Sequence, residues 1–424
     1  MVKNTFVNLK YKPNSEDLVC LFRVTPNKMS LKEAANTVAL ESSIGTWTHV
    51  SSNKSYVNRL GAKVFSINNK TGMCKIAYPS VLFEDGNMPD LLSSIAGNVF
   101  GMKAVKKLRL EDVDFPSRYI KTYPGPRHGI GGVRKILGVK NRPLVGTIVK
   151  PKLGLKTKDH AKVAYDAWLG GCDVVKDDEN LSSQKFNPFD KRAVQTLRMM
   201  DKAAEETGEK KVYLINVTAE ALEMVRRADF AKEHGANYLM HDILTAGFSS
   251  LQTLRRSTKL PIHAHRAMHG ALTEDPKHGI SMMSIADFAR LCGVDTLHIG
   301  TGIGKMKGGW KEVEEIREEI ELDEVKETAG RLKEDWVGMK PVMAVCSGGI
   351  YPGHIPFLIN HYGKDIVIQG GGGVHWNPRG SKYGAMGMRQ AVDAVMKGKT
   401  LKEYSKNHKE LREALDHFGY KVRF

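Results

Sequence analysis

From about residue 144 onward, short apolar runs recur along the chain at spacings that leave room for one helix each. They are LVGTIV (144–149), CDVVK (172–176), VYLINV (212–217), NYLMHD (237–242), IHAHR (262–266), DTLHIG (295–300), VMAVCSG (342–348) and IVIQGG (366–371). Eight strand-like runs alternating with helical segments over ~280 residues predict a (β/α)8 barrel, a fold of about 250 residues. Such a barrel keeps its chemistry at the C-terminal ends of the strands and in the loops just after them. The polar residues at those places are Lys150, Lys176, Asp178, Asn216, Asp242, His265, His298, Ser347 and Gly371.

Residues 1–124 carry strand-like runs (DLVCLFRV, KVFSINN, CKIAY) around helical ones (SLKEAANTVALESS, MPDLLSSIAG), the pattern of a smaller α+β domain. The turn-rich YPGPRHGIGG (123–132) breaks regular structure and places the boundary, so that 125–424 is the barrel with its C-terminal helices. The segment from Lys311 to Asp335 is heavily charged, with Val313, Ile316 and Ile320 at helical spacing, and predicts a solvated outer helix.

Composition narrows the class. The chain has 424 residues, 41% of them apolar, enough for one large core or two unequal ones. No run approaches the length of a membrane span and the N-terminal stretch has no signal-peptide apolar region, so a cytoplasmic protein is expected. Five cysteines are odd in number and scattered, which indicates neither a disulfide framework nor a zinc cluster. The net charge of +17 invites a nucleic-acid reading, but the basic residues are spread out and interleaved with acids. Steering of a multiply charged anionic substrate is the functional reading that survives.

The strongest local signal is GGCDVVKDDENLSSQKFNPF (170–189). Alternation along an extended chain puts Lys176 and Asp178 on one face, with Glu179 opening the loop. Two acids make a partial site for a hard cation such as Mg2+, whereas an ammonium beside it would repel the metal. A neutral lysine can react with CO2 to form a carbamate, which would make Lys176 a third oxygen ligand; the competing reading is a salt-bridged lysine on the barrel rim. In KPKLGL (150–155), Lys150 and Lys152 should point the same way, which is costly unless an anion lies between them or one is neutral and able to work as an acid or base. HAHRAMHG (263–270) puts His263 and His265 on one parity with Arg266 opposite, a set suited to anion capture and proton handling. HIGTGIGKMKGG (298–309) places Lys305 within a glycine-rich stretch that suits a loop closing over substrate. The glycines after Ser347 (Gly348, Gly349) and at 370–373 can turn backbone N–H groups onto a phosphate, or simply make tight turns. Arg266 and His298, across the barrel, would hold a second phosphate, which points to a bisphosphate substrate.

GGCDVVKDDEN, VKPKLGL, HAHRAMHG, GTGIGKM, SGGIYPGHIP and IQGGGG, together with ESSIGTWT (41–48) and GNVFGMKAVKKLRLED (97–112), resemble in order and spacing the motifs of the ribulose-bisphosphate carboxylase large-subunit family. The resemblance runs from about residue 17 to 390, and the short chain is similar to the archaeal, form III branch. It implies carboxylation of ribulose 1,5-bisphosphate to two 3-phosphoglycerates, with an oxygenase (monooxygenase) side reaction on O2. It further implies an activator CO2 held as a carbamate on Lys176, and Mg2+ bound by Lys176, Asp178 and Glu179. Carried over residue by residue, the Lys176 carbamate takes the C3 proton, Lys150 donates and accepts protons late in the cycle with Lys152 in support, and His265 relays protons. Lys305 holds the new carboxylate and pairs with Glu41. Arg266 and His298 bind one phosphate. Thr46, Trp47, Gly349, Gly371 and Gly372 bind the other beside Gly348, with Ser347 on a sugar hydroxyl and Asn98 orienting substrate at the metal. In the family the first-domain residues come from a neighbouring subunit, so a homodimer or ring of dimers without a small subunit is implied, as is a place in nucleotide salvage.

Two positions depart from the family pattern: Val174 stands where an aromatic is usual, and Ile148 where plant-type members have threonine. Both stay on the strand and bear on tuning. The nearest rival is a carboxylase-like enolase or isomerase that forms the enediolate without adding CO2; such relatives typically lose part of the set that includes Lys305, Glu41, Arg266, His298 and Lys150, all present here. An aldolase using Lys176 as a Schiff base needs a desolvated lysine free of carboxylates. A basic nucleic-acid-binding protein would not depend on Lys176.

Overall fold

A computed structural model describes residues 6–45, 51–304, 308–420 and 422. Two compact units emerge: Met1–Gly125 with Met268–Cys292 and Leu322–Met339, and Pro126–Ala267 with Gly293–Glu321 and Lys340–Phe424. The first unit opens with strands β1 (Asp17–Pro26), β2 (Lys63–Asn68), β3 (Met73–Pro79) and β4 (Val105–Asp114). β1 lies between β3 and β4, antiparallel to both, and β2 extends the sheet beyond β3. Helix Leu31–Glu41 starts at a capping box in which Ser30 and Glu33 satisfy each other's backbone N–H, and it buries Ala34, Ala35, Val38 and Ala39.

The barrel is built from β5 (Leu144–Ile148), β6 (Val174–Lys176), β7 (Val212–Asn216), β8 (Leu239–Asp242) and β9 (Ile262–His265). The chain then adds β10 (Gly279–Ile280) to the first unit as a parallel edge beside β4, and returns with β11 (Thr296–His298). A second excursion forms the short antiparallel pair β12 (Glu324–Val325) and β13 (Glu334–Asp335) before β14 (Met343–Ser347) and β15 (Ile366–Gln369) finish the barrel. All eight expected runs are strands of one closed parallel barrel in the order β11-β14-β15-β5-β6-β7-β8-β9. A single cut at 124/125 makes no provision for the two excursions that join the first unit. The helix expected over 311–335 also needs correction, because it spans only Trp310–Glu321. Its stripe of Val313, Ile316 and Ile320 is buried as expected, but beyond it the chain enters the first unit, where the Asp112 carboxylate accepts the Leu332 N–H at 2.6 Å.

Strand alternation sends every second side chain into the barrel. At the N-terminal end these are Leu144, Val212, Leu214, Tyr238, Met343 and Val367, closed off by Val133 and Leu137 of helix Gly129–Leu137. The same parity ends at the other mouth in Lys176, Asn216, Asp242, His265, His298, Ser347 and Gln369. The interior is therefore dry and plugged below and polar above, which fixes the face where a ligand can meet reactive groups. All five cysteines are buried and unpaired. Among the described residues, no helix is long and apolar enough to cross a membrane.

Candidate active site

Lys176 closes β6 and is only 1% exposed. Its Nζ donates to the Asp177 carbonyl at 2.8 Å and meets Glu179 Oε2 at 3.1 Å. Alternation turns the Asp177 carboxylate away from the mouth. It accepts from Tyr213 Oη at 2.5 Å, Arg192 Nε at 3.2 Å and the Asn216 N–H at 3.0 Å, with His160 Nε2 3.1 Å away. Burial acts to raise the Asp177 pKa, but Arg192 and His160 outweigh it and hold the group below the usual carboxylate range. Burial likewise opposes ionisation of Glu179, yet the Lys176 charge leads the groups that bring it down to about 2. Asn216 Nδ2 ties this loop down by donating to the carbonyls of Glu179 and Leu181.

Lys150 and Lys152 do reach toward the same loop. What offsets them is protein: Lys150 Nζ donates to Asp178 Oδ2 at 2.7 Å, and the exposed Lys152 to Asn180 Oδ1 at 3.3 Å. Since β5 stops at Ile148, their shared direction comes from the loop rather than from strand pleat. Asp178 and Glu179 thus present two carboxylates at the mouth. Among the described residues no three His, Cys, Asp or Glu side chains gather as a metal cluster; two carboxylates make a partial site for a hard cation.

His265 lies between two acids. The Ala267 N–H donates to its Nδ1 at 3.2 Å, so the ring proton sits on Nε2, 3.5 Å from Glu179 Oε2. Asp242 Oδ1, 3.3 Å from Nδ1, has no hydrogen-bond partner among the described residues. A proton arriving at Nδ1 would therefore find an acceptor waiting, which suits a relay. Arg266, 8% exposed, has no hydrogen-bond acceptor among the described residues; burial brings its pKa down to about 10. A Cβ on Gly300 (φ 100°) would come within 2.9 Å of Arg266 Nη2, so glycine is what lets the guanidinium lie along this loop. A buried cation without an acceptor is a place for an anion.

His298 Nδ1 lies 2.7 Å from Ser347 Oγ, and its Nε2 lies 2.9 Å from His263 Nε2. Burial pushes both histidines well below the usual range. His263, grouped in the sequence with His265 and Arg266, thus stands directly behind the site, while Thr296 and Tyr238 beyond it gave no signal because they sit at the N-terminal ends of their strand runs, away from the mouth. Gly348 and Gly349 (φ 120° and 78°) follow Ser347, and Gly371 and Gly372 start a short helix after β15 with Gly371 beside Lys150. Glu41 ends its helix and Asn98 opens a 3-10 turn, both in the first unit. Thr46, Trp47 and Lys305 lie outside the described residues.

Comparison with known proteins gives this arrangement a family. Residues 129–418 match the ribulose bisphosphate carboxylase large chain catalytic domain, and residues 5–119 its N-terminal domain. A ribulose bisphosphate carboxylase of Methanocaldococcus jannaschii is 50% identical over 97% of this chain and 99% of its own length. One of Methanosarcina mazei is 47% identical over 98% and 99%. Among solved structures, the dimeric archaeal Rubisco from Hyperthermus butylicus superposes with a TM-score of 0.94 at 44% identity, covering 98% of this chain and 99% of that one. The octameric Rubisco of Pyrococcus horikoshii does so with a TM-score of 0.91 at 43% identity, covering 98% and 96%. The chain belongs to the ribulose bisphosphate carboxylase large-chain family.

Proposed function

We propose that this protein carboxylates ribulose 1,5-bisphosphate, adding CO2 and water to give two molecules of 3-phosphoglycerate, with O2 as a competing co-substrate. The observation that carries the reading is the buried Lys176 set against Glu179, in a mouth where Asp178 and Glu179 offer oxygens suited to a hard cation. A carbamate formed from activator CO2 on Lys176 would add an anionic oxygen to that set, and Mg2+ would be held by Lys176, Asp178 and Glu179. When bound, the metal supplies Lewis-acid stabilisation of the negative charge that develops on the substrate oxygens.

The protein's own groups do the rest. Lys176, as its carbamate, takes the C3 proton, and His265 relays protons between its Nε2 and the Nδ1 that faces Asp242. Lys150, held on Asp178, returns a proton late in the cycle, with Lys152 beside it. Arg266, for which no acceptor is found among the described residues, takes one phosphate, with His298 lining the same place and its ring nitrogens held by Ser347 and His263. Gly348, Gly349, Gly371 and Gly372, with Thr46 and Trp47, take the other, and Ser347 holds a sugar hydroxyl. Lys305 closes over the new carboxylate, paired with Glu41, and Asn98 orients the substrate. Glu41, Thr46, Trp47 and Asn98 would act across a homodimer of large subunits, a role in nucleotide salvage being the associated pathway.

The test is fixation of labelled CO2 into 3-phosphoglycerate, run anaerobically after preincubation with bicarbonate and Mg2+. Product should require the metal and disappear, by about a thousandfold or more, in Lys176→Ala and Lys305→Ala. Wild-type protein that only exchanges the C3 proton with solvent would replace this reading with an enolase.

A further inference from the structure

We infer that Tyr238, Thr296 and His263 form a buried, one-way hydrogen-bond relay that fixes the ring tautomer of His298 and so sets the Ser347 hydroxyl as a donor toward the substrate. The starting point is a misfit in the barrel. Below the ring of mouth residues the inward positions are apolar, with Val174, Leu214, Met240, Val345 and Val367 all buried. His263 and Thr296, equally buried on the neighbouring strands β9 and β11, break that layer. Buried polar side chains persist where their hydrogen bonds are complete.

Here they are complete in one direction. Tyr238 Oη donates to Thr296 Oγ1 at 3.2 Å. The threonine keeps one proton of its own, and His263 Nδ1 lies 2.9 Å from that oxygen. If Thr296 donates to Nδ1, the His263 proton must be on Nε2, pointing at His298 Nε2 across 2.9 Å. His298 then accepts at Nε2 and carries its proton on Nδ1, which donates to Ser347 Oγ at 2.7 Å. Ser347 Oγ receives that bond and has its own proton left for an oxygen at the mouth. Running the relay backwards would have Thr296 accept from both Tyr238 and His263, and would strand the threonine proton in a buried layer. The three residues are positioning groups: none reaches the mouth, and each acts through the next.

The inference rests on the carboxylase reading only for what Ser347 touches; the tautomer itself does not depend on it. The experiment uses full-length protein labelled with nitrogen-15 in histidine, with the His298 signals assigned by difference against His298→Asn. Wild type should show a protonated Nδ1 and an unprotonated Nε2 at His298. Thr296→Val keeps the shape but removes the hydroxyl, and should abolish that single state. His263→Gln retains a donor near the Nε2 position and should preserve it, whereas His263→Leu should not. With ribulose 1,5-bisphosphate, kcat should fall about tenfold or more in Thr296→Val and His263→Leu, with KM changed by less than about threefold and His263→Gln close to wild type. An unchanged His298 pattern in Thr296→Val, or a His263→Gln enzyme as impaired as His263→Leu, overturns the relay. Correct tautomers in a wild-type protein that does not fix CO2 uphold the relay and overturn the reaction assigned to the site.

Discussion

Lys176 owes its setting to the residue behind it. Asp177 is fully buried and acts as the hub for Arg192, Tyr213, His160 and the Asn216 backbone, and this anchors the end of β6 so that Lys176 and Asp178 project on the other side. Arg192 is itself buried and also donates to the carbonyls of Asn187 and Ser182, so it ties the loop after β6 to the start of the next helix. Removing one member of a buried ion pair leaves the other uncompensated, which costs more than the pair contributes. Arg192→Met should therefore destabilise the protein by about 3–5 kcal/mol, read as a lowered midpoint in denaturant unfolding. Arg192→Lys, which keeps the charge but loses the forked hydrogen bonds, should fall in between. A midpoint within error of wild type for Arg192→Met would show that the Asp177 hub is not what holds this loop.

At the scale of elements, the helix Gly129–Leu137 is what makes the barrel one-sided. Its apolar stripe of Ile130, Val133, Ile136 and Leu137 seats on the lower ends of the strands, and it stops at Gly138 in the left-handed conformation (φ 68°). Leu137→Ala should cost about 2–4 kcal/mol through the cavity it opens, and lower the thermal midpoint while leaving kcat near wild type, since the plug is at the opposite end from the mouth. A kcat that fell in step with the midpoint would mean the plug also shapes the site. The sequence reads YPGPRHGIGG (123–132) as breaking regular structure, yet its last four residues form the first turn of this helix, whereas the barrel strands were read to within two residues at each end, because each is a short apolar run. β4 was missed: in VKKLRLEDVD consecutive basic and acidic residues hide the alternation, although Leu108, Leu110 and Val113 are buried. The segment after Glu321 was misread because charge and helical spacing continue past the point where tertiary contacts take the chain into another sheet. Of the site, Lys176, Asp178, Glu179 and His265 stood at strand ends and were legible. Asp177, Thr296 and Tyr238 were not, because their importance comes from neighbours on other strands, and strand order is not written in any local pattern.

For the molecule as a whole, charge and burial combine into a dependence on pH. The chain carries a net charge of +17 before any of its 15 histidines is protonated, so acidification adds to self-repulsion. Burial also brings His241, His354 and His375 of the barrel unit down to about 4 from the usual 6.5. Between those two values the unfolded chain binds protons that the folded one refuses, so unfolding is favoured as pH falls. The stability these groups contribute is complete above about pH 6.5 and is lost progressively toward pH 4, at up to about 1.4 kcal/mol per pH unit for each. The thermal midpoint should thus drop by about 5 °C or more between pH 7.5 and pH 5. Salt separates the two causes: about 0.5 M NaCl screens surface repulsion but leaves the buried histidines unaffected. A drop that persists in salt, and becomes smaller in His241→Leu, assigns it to the buried rings. A drop that salt abolishes would make surface charge alone responsible.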